Sequence, residues 1–222
     1  QANESLARSN SELEQFAQAA SHDLQAPLRA VMSYTSLLQM EQGRHLSEQG
    51  REFLTKLTEA TTRMQNMIKD LLAFSRVNSK HRDYEVIDLN QIVDEAVDNL
   101  EFYLKQNDAR VRHRHLPEIH GYRYLLIQLF QNLIHNAIQY TVEYRVPEIN
   151  ISSRREEQNW IISVEDNGRG ILPEFQSTIF RMFDRGEEGL EDRPGSRSEG
   201  SGIGLSICKK IVQRHGGSIS VK

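Results

Sequence analysis

Two long runs of apolar residues at helical spacing, separated by one glycine turn, constrain this chain more than any other feature. In the first run Leu13, Phe16, Ala17, Ala20, Leu24, Leu28, Val31, Thr35 and Leu38 fall on one face. Ser11, Gln15, Gln18, His22, Gln25, Arg29, Ser33 and Ser36 fall on the other. The spacing predicts a helix from about Asn3 to Glu41, bent near Pro27, which removes one backbone hydrogen bond about a turn past His22. Gly43 and the polar residues through Ser47 form a turn. Phe53, Leu57, Ala60, Met64, Met67, Ile68, Leu71, Leu72 and Phe74 then make a second stripe, with the methionines as core filler. Two amphipathic helices joined by a short turn form an antiparallel hairpin. One hairpin cannot bury both apolar faces, which predicts that two chains pair as a four-helix bundle.

On the wet face His22 is expected to point at solvent. An exposed imidazole, neutral near pH 7 and held on a rigid helix, is a usable nucleophile. Standing alone, it is more simply read as a polar surface residue. The remaining length supports a second unit, since 222 residues suffice for two compact bodies. A net charge of -4 provides no basic footprint, so nucleic acid is not an expected partner. The one cysteine, Cys208, lies among apolar neighbours in a helical pattern, which excludes disulfide stapling and suggests a reducing, cytoplasmic setting. No apolar run approaches the length of a membrane span. The opening residues already follow a helical pattern, as in the interior of a longer polypeptide whose sensor or anchor lies upstream.

The pattern turns polar and basic from Asn78 to Asp83, and the domain boundary is placed there. Beyond it a strand is expected at Tyr84 to Ile87, then Asp88 as N-cap with Gln91 in a capping-box variant, and a helix to about Lys105. Val111 to Leu116 alternates as a strand; His113 and His115 share one face of it, without further metal ligands clustered nearby. A helix follows over Tyr122 to Tyr140. Strands at Glu148 to Arg154 and Trp160 to Glu165 flank a turn, and Gly216-Gly217 is expected to begin a last strand. Helices mixed with antiparallel strands read as an α+β sandwich.

Several segments of this half carry chemistry. Asn132 and Asn136 stand at i and i+4 on one helix face, either hydrogen-bonded internally or serving a ligand. An amide oxygen suits a magnesium ion held mainly by phosphates and water. Asp166-Asn167-Gly168-Arg169-Gly170 ends a strand, where a carboxylate can accept from an exocyclic amine and glycines permit close approach; an ordinary Asp-Asn-Gly turn accounts for it equally well. A long polar loop, Ile171 to Glu199, has one apolar anchor at 179–185 and reads as a lid. It closes on Gly200-Ser201-Gly202-Ile203-Gly204-Leu205, immediately before a helix, where backbone amides form an anion site.

Together, in this order, the segments resemble the catalytic core of a two-component sensor histidine kinase, especially of the phytochrome-like subgroup, over essentially the whole chain. Ser21-His22-Asp23-Leu24 with Pro27-Leu28-Arg29 is similar to the phosphoacceptor box. Asn132 to Thr141 resembles the N box, Asp166 to Gly170 the first glycine box, Phe180 to Phe183 the F box and Gly200 to Gly204 the second glycine box. The resemblance implies an all-α antiparallel hairpin over 1–80, for dimerisation and histidine phosphotransfer in a dimeric four-helix bundle. It implies an α+β two-layer sandwich over 84–222 that binds ATP, of the gyrase, chaperone and kinase type, lacking its last strand.

By the same resemblance His22 attacks the γ-phosphate of ATP through Nε2, and Asp23 orients or deprotonates the ring through Nδ1. Asn136 ligates Mg2+, with Asn132 on the phosphate or water shell. Asp166 reads the adenine amine, Tyr140 borders the nucleotide, and Gly168 and Gly170 allow it close. Gly200, Gly202, Ile203, Gly204 and Leu205 surround the phosphates, Phe180 and Phe183 anchor the lid, and Arg185 reaches the γ-phosphate. A homodimer, a response regulator receiver domain and an upstream sensor domain of the same polypeptide are the implied partners. Two positions depart from the pattern. Gln139 stands where many relatives have Lys or Arg, and Ala26 where kinases with strong phosphatase activity often have Thr or Asn. A hydrolytic ATPase of the same fold is disfavoured, because an amide at Asn132 cannot accept a proton from water. A nucleotide-binding scaffold without activity is the other alternative.

Overall fold

In the computed structural model the chain forms two compact units, 1–78 and 79–222. The structure describes residues 2–77, 84–142, 144–182, 184 and 202–222, and their side chains except those of 2–20, His22 and Arg76. The polar segment 78–83 lies outside the described residues.

The first unit is a helical hairpin of α1 (Ala2–Gln42) and α2 (Glu48–Arg76). Pro27 sits inside an unbroken α1. The Gly43 N–H closes α1 on the Gln39 carbonyl at 3.1 Å, and the Ser47 hydroxyl caps α2 by accepting from the Gly50 N–H at 3.1 Å. Buried positions recur every seven residues, at Ser21, Leu28 and Thr35 on α1 and at Thr61, Ile68 and Ser75 on α2. The hydroxyls of Thr35 and Thr61 donate to the carbonyls of Val31 and Leu57, both at 2.8 Å, which satisfies them within their own helix.

The expected single apolar face is therefore divided. Leu28 and Ile68 are buried, whereas Leu24 is 53% exposed, Phe53 59% and Met64 53%, and Val31, Leu38 and Leu57 are exposed with them. A stripe wider than about 100° cannot be covered by one antiparallel neighbour, so the greasier half of each helix is left open.

Among the described residues the second unit holds two small sheets and four helices. Strand β1 (Glu85–Asp88) pairs antiparallel with β3 (Glu118–Gly121). Strand β2 (Arg110–His113) runs parallel to β4 (Glu148–Glu156), which pairs antiparallel with β5 (Asn159–Asp166). The helices are α3 (Leu89–Asn99), α4 (Glu101–Gln106), α5 (Arg123–Gln139) and α6 (Gly204–Arg214). Contacts join α3 to α5 and α5 to α6, with Ile92, Val93, Leu125, Ile134, Ile207 and Ile211 buried among them.

Five expectations are corrected. The helix drawn to Lys105 breaks at Leu100, whose φ of -102° and ψ of 6° are not helical. Asp88 caps α3, but through Asn90, whose N–H and Nδ2 donate to its carboxylate at 2.8 and 2.6 Å, and not in a box with Gln91. These bonds hold the Asp88 carboxyl below its ordinary value of 3.8. The strand predicted to reach Leu116 stops at His113, because Asn90 takes both backbone groups of Leu116, at 2.9 Å each. Its pairing with β4 is parallel, and β3 was not expected at all. Finally, Gly216 and Gly217 close α6 by donating to the carbonyls of Gln213 and Val212, at 3.0 and 2.9 Å, and residues 218–222 form no strand.

His113 Nε2 lies 3.0 Å from Asp94 Oδ1 on α3, and Ser153 donates to the His115 carbonyl at 3.2 Å. Among the described residues no group of three or more His, Cys, Asp and Glu side chains could hold a metal ion. No described helix is long and apolar enough to cross a membrane.

Candidate functional site

The second half of α5 is the spine of the site. Asn132 and Asn136, one turn apart, face the start of α6. The Asn132 Nδ2 donates to the Gly204 carbonyl at 3.4 Å, and a Cβ on Gly204 would lie 3.9 Å from Asn136 Oδ1 and 4.0 Å from its Nδ2. The thiol of Cys208, a fully buried group whose pKa burial pushes up to about 12, donates to the Leu129 carbonyl at 4.0 Å. The cysteine is a core residue, as its sequence context indicates.

The turn into α6 is built for backbone contact. Gly202 has φ of 71°, a left-handed conformation that favours glycine. Ile203 is fully buried, whereas Gly202 and Gly204 on either side of it are partly exposed. Among the described residues no side chain caps the helix, and the Ser206 hydroxyl is turned inward to donate to the Ile203 carbonyl at 2.7 Å. The first amides of α6, at Gly204 and Leu205, thus lack a side-chain cap and suit an anion.

One helical turn further along α5, about 6 Å on, Tyr140 ends the helix against the strand end at Asp166. Its carbonyl accepts from the Arg169 N–H at 3.1 Å. The Gly168 N–H donates to Asp166 Oδ1 at 2.8 Å. A Cβ at Gly168 would meet that oxygen at 2.7 Å and the Tyr140 carbonyl oxygen at 2.9 Å, so no larger residue fits unshifted. Gly170 has φ of 72°. Asn167 serves the scaffold: its Oδ1 accepts from the Glu148 N–H at 3.0 Å and its Nδ2 donates to the Val146 carbonyl at 2.9 Å. The Asp-Asn-Gly turn is therefore formed, and the hydrogen bond that forms it engages only one oxygen of the exposed Asp166 carboxylate.

Arg169 stands within the Asp166 to Gly170 segment but was given no role of its own from sequence. Its guanidinium lies 4.9 Å from the Tyr140 ring centroid, a cation–π contact that joins strand end to helix end. The loop after Gly170 winds into turns, with the Phe175 N–H on the Leu172 carbonyl at 2.9 Å and the Ile179 N–H on the Phe175 carbonyl at 3.0 Å. Ile179 is buried and Phe180 half-buried, so Ile179 is the firmer anchor. Phe183, Arg185 and Gly200 lie outside the described residues.

His22 and Asp23 belong to α1 of the first unit. Asp23 is exposed; the His22 side chain lies outside those described. Next to them Ser21 is fully buried. Asn132, Asn136 and Gly202 to Leu205 thus form one cluster, and Tyr140, Asp166, Gly168, Arg169 and Gly170 a second beside it on the same helix.

Comparison with known proteins follows the same division. Residues 121–222 match the family described as histidine kinase-, DNA gyrase B-, and HSP90-like ATPase, and residues 12–80 the one described as His Kinase A (phospho-acceptor) domain. Cyanobacterial phytochrome A of Nostoc sp. is 41% identical over 217 residues, which cover 98% of this chain and 28% of that protein. Phytochrome-like protein Cph1 of Synechocystis sp. is 36% identical over 214 residues, covering 96% of this chain and 28% of the relative. The chain spans less than a third of the length of these relatives. Among solved structures, full-length ShkA in complex with AMPPNP shares the fold at a TM-score of 0.64 and 20% identity, over 94% of this chain and 42% of that one. The Acinetobacter baumannii histidine kinase AdeS does so at 0.54 and 22%, over 86% of each.

Proposed function

The chain belongs to the histidine kinase family, carrying a phosphoacceptor module followed by an ATPase module, and from that premise we propose that it is a sensor's kinase core. It phosphorylates its own His22 from Mg-ATP and passes the phosphoryl group to an aspartate of a response regulator receiver domain. The hairpin, 1–80, dimerises and carries the phosphohistidine; the sandwich, 84–222, binds ATP. An upstream sensor domain sets the activity. The observation that carries this reading is the convergence along α5 of three segments distant in sequence: the amide pair, the uncapped start of α6 and the Asp166 strand end.

In this reading Asp166 accepts from the adenine amine, and Gly168 and Gly170 let the base lie against backbone. Tyr140 borders it, held by Arg169. The amides of Gly204 and Leu205, with Gly200, Gly202 and the main chain of Ile203, receive the phosphates. The donor set fits magnesium as the phosphates' companion, with the Asn136 carbonyl oxygen as the protein ligand and Asn132 close by. Bound there, the ion would neutralise charge on the phosphates during transfer. Nε2 of His22 then forms the new bond to phosphorus as the bond to the β-bridging oxygen of ATP breaks, releasing ADP. Asp23 orients the ring. Phe180 and Phe183 anchor the lid, and Arg185 meets the γ-phosphate in place of the cation missing at Gln139. At Asn132 an amide stands where hydrolysis needs a base, which favours transfer over release to water.

The test is incubation with γ-labelled ATP and magnesium. Acid-labile, base-stable label should appear on the protein and be absent from His22→Gln. Equal labelling of that variant overturns the proposal, and phosphate release without labelled protein favours an ATPase.

A further inference from the structure

The ends of α5 and α6 remote from the site meet around His215, which follows α6. The backbone N–H of Tyr122 donates to Nε2 of His215 at 3.0 Å, and Nδ1 lies 2.7 Å from the Ile211 carbonyl oxygen. A backbone N–H can only donate and a carbonyl can only accept, so the two partners dictate the tautomer: proton on Nδ1, lone pair on Nε2. Gly121 makes the room. A Cβ there would lie 3.0 Å from both Cδ2 and Nε2 of the ring and 2.9 Å from a methyl of Leu126. Tyr122 packs edge-on to the imidazole with centroids 5.6 Å apart.

We propose that His215 is an acid-sensitive latch: neutral, it ties the amino end of α5 to the carboxyl end of α6, and a proton on Nε2 opens it. Protonation sets an N–H against the Tyr122 N–H and replaces a hydrogen bond with a clash of donors. The Glu85 carboxylate on the adjoining strand β1, opposite Gly121, is exposed, where water and salt screen it from the new cation. On its own element, Arg214 is itself cationic, with its guanidinium 4.7 Å from the Tyr122 ring centroid. From the start of α5 comes Tyr122. Beyond it lie Tyr84, ahead of β1 with its ring 5.1 Å from that of Tyr122, and His120 of β3, stacked on Tyr84 at 6.0 Å.

Burial holds the imidazole below its ordinary value of 6.5, the Ile211 hydrogen bond opposes this, and the Arg214 charge adds to the lowering. The unfolded chain therefore binds the proton more readily than the folded one. Stabilisation by the latch is complete above the ordinary pKa and is lost as pH falls from there toward the lower folded value. Since α5 carries Asn132 and Asn136, and α6 begins at Gly204, the latch secures the far ends of the helices whose near ends meet at the site. The argument for it is independent of what that site binds.

Imidazole nitrogen NMR on the whole chain tests the proposal directly. The His215 ring should show the Nδ1–H tautomer at about pH 7.5 and titrate below the ordinary histidine value; the Nε2–H tautomer, or an ordinary midpoint, overturns the latch. His215→Gln supplies one acceptor and one donor without titrating. Between about pH 7.5 and 5.5 its melting temperature should fall by at least about 2 °C less than that of the natural chain. Equal falls overturn the proposal, and should the variant fail to fold, the NMR measurement decides.

Discussion

Gly168 and Cys208 show how much one position can be asked to do. At Gly168 an added methyl would press on the Asp166 carboxylate and the Tyr140 carbonyl at once. Gly168→Ala should cost about 1–3 kcal/mol by overpacking and weaken nucleotide binding, read by calorimetric titration with ATP. Cys208, its thiol pushed up to about 12 by burial, should resist iodoacetamide at mildly alkaline pH in the folded chain and react in denaturant. Rapid native alkylation would contradict that placement. Ala26, exposed one turn after His22, has no group to position a water. Ala26→Thr should therefore raise the rate at which phosphorylated receiver loses phosphate, measured by timed gel assay. In the sequence Gly168, Asp166 and the asparagine pair were legible as chemistry. Arg169 was not, because its contact depends on Tyr140, which lies 29 positions earlier (169 - 140).

At the scale of elements, the hairpin and its periodicity were readable, since helices of this length declare themselves within any few turns. The division of the stripe was not, because only the packed neighbour shows which half is covered. The open half, with Leu24, Val31, Leu38, Phe53, Leu57 and Met64 exposed, is the surface on which the proposed dimer would close. Leu24→Glu with Leu57→Glu should convert a dimer to monomer in sedimentation, leaving nucleotide binding intact. In the second unit, Asn90 holds both backbone groups of Leu116 from the first turn of α3. Asn90→Ala leaves them without that partner and should cost about 1–3 kcal/mol, read as a lower denaturant midpoint. The β3 strand was missed because Glu118–Gly121 offers a single apolar residue, Ile119, and so no alternation.

For the molecule as a whole, magnesium should matter to chemistry far more than to folding, because Asn136 is the only protein ligand assigned to it. Chelation with EDTA should abolish labelling of His22 while shifting the melting temperature little; a large loss of stability would point to a structural metal site instead. The order of motifs along the chain, from phosphoacceptor box to second glycine box, determined the family and the proposed chemistry without any coordinates. The same holds for the two helices of the hairpin and for Asp88 as the cap of α3, each written in residues close enough to constrain one another locally. Tertiary structure alone decided the parallel pairing of β2 with β4, the Asn90 clasp and the seating of His215. Those bonds join residues 26 and 93 positions apart, and a local sequence pattern says which groups seek partners but not which distant group the closed fold will bring to them.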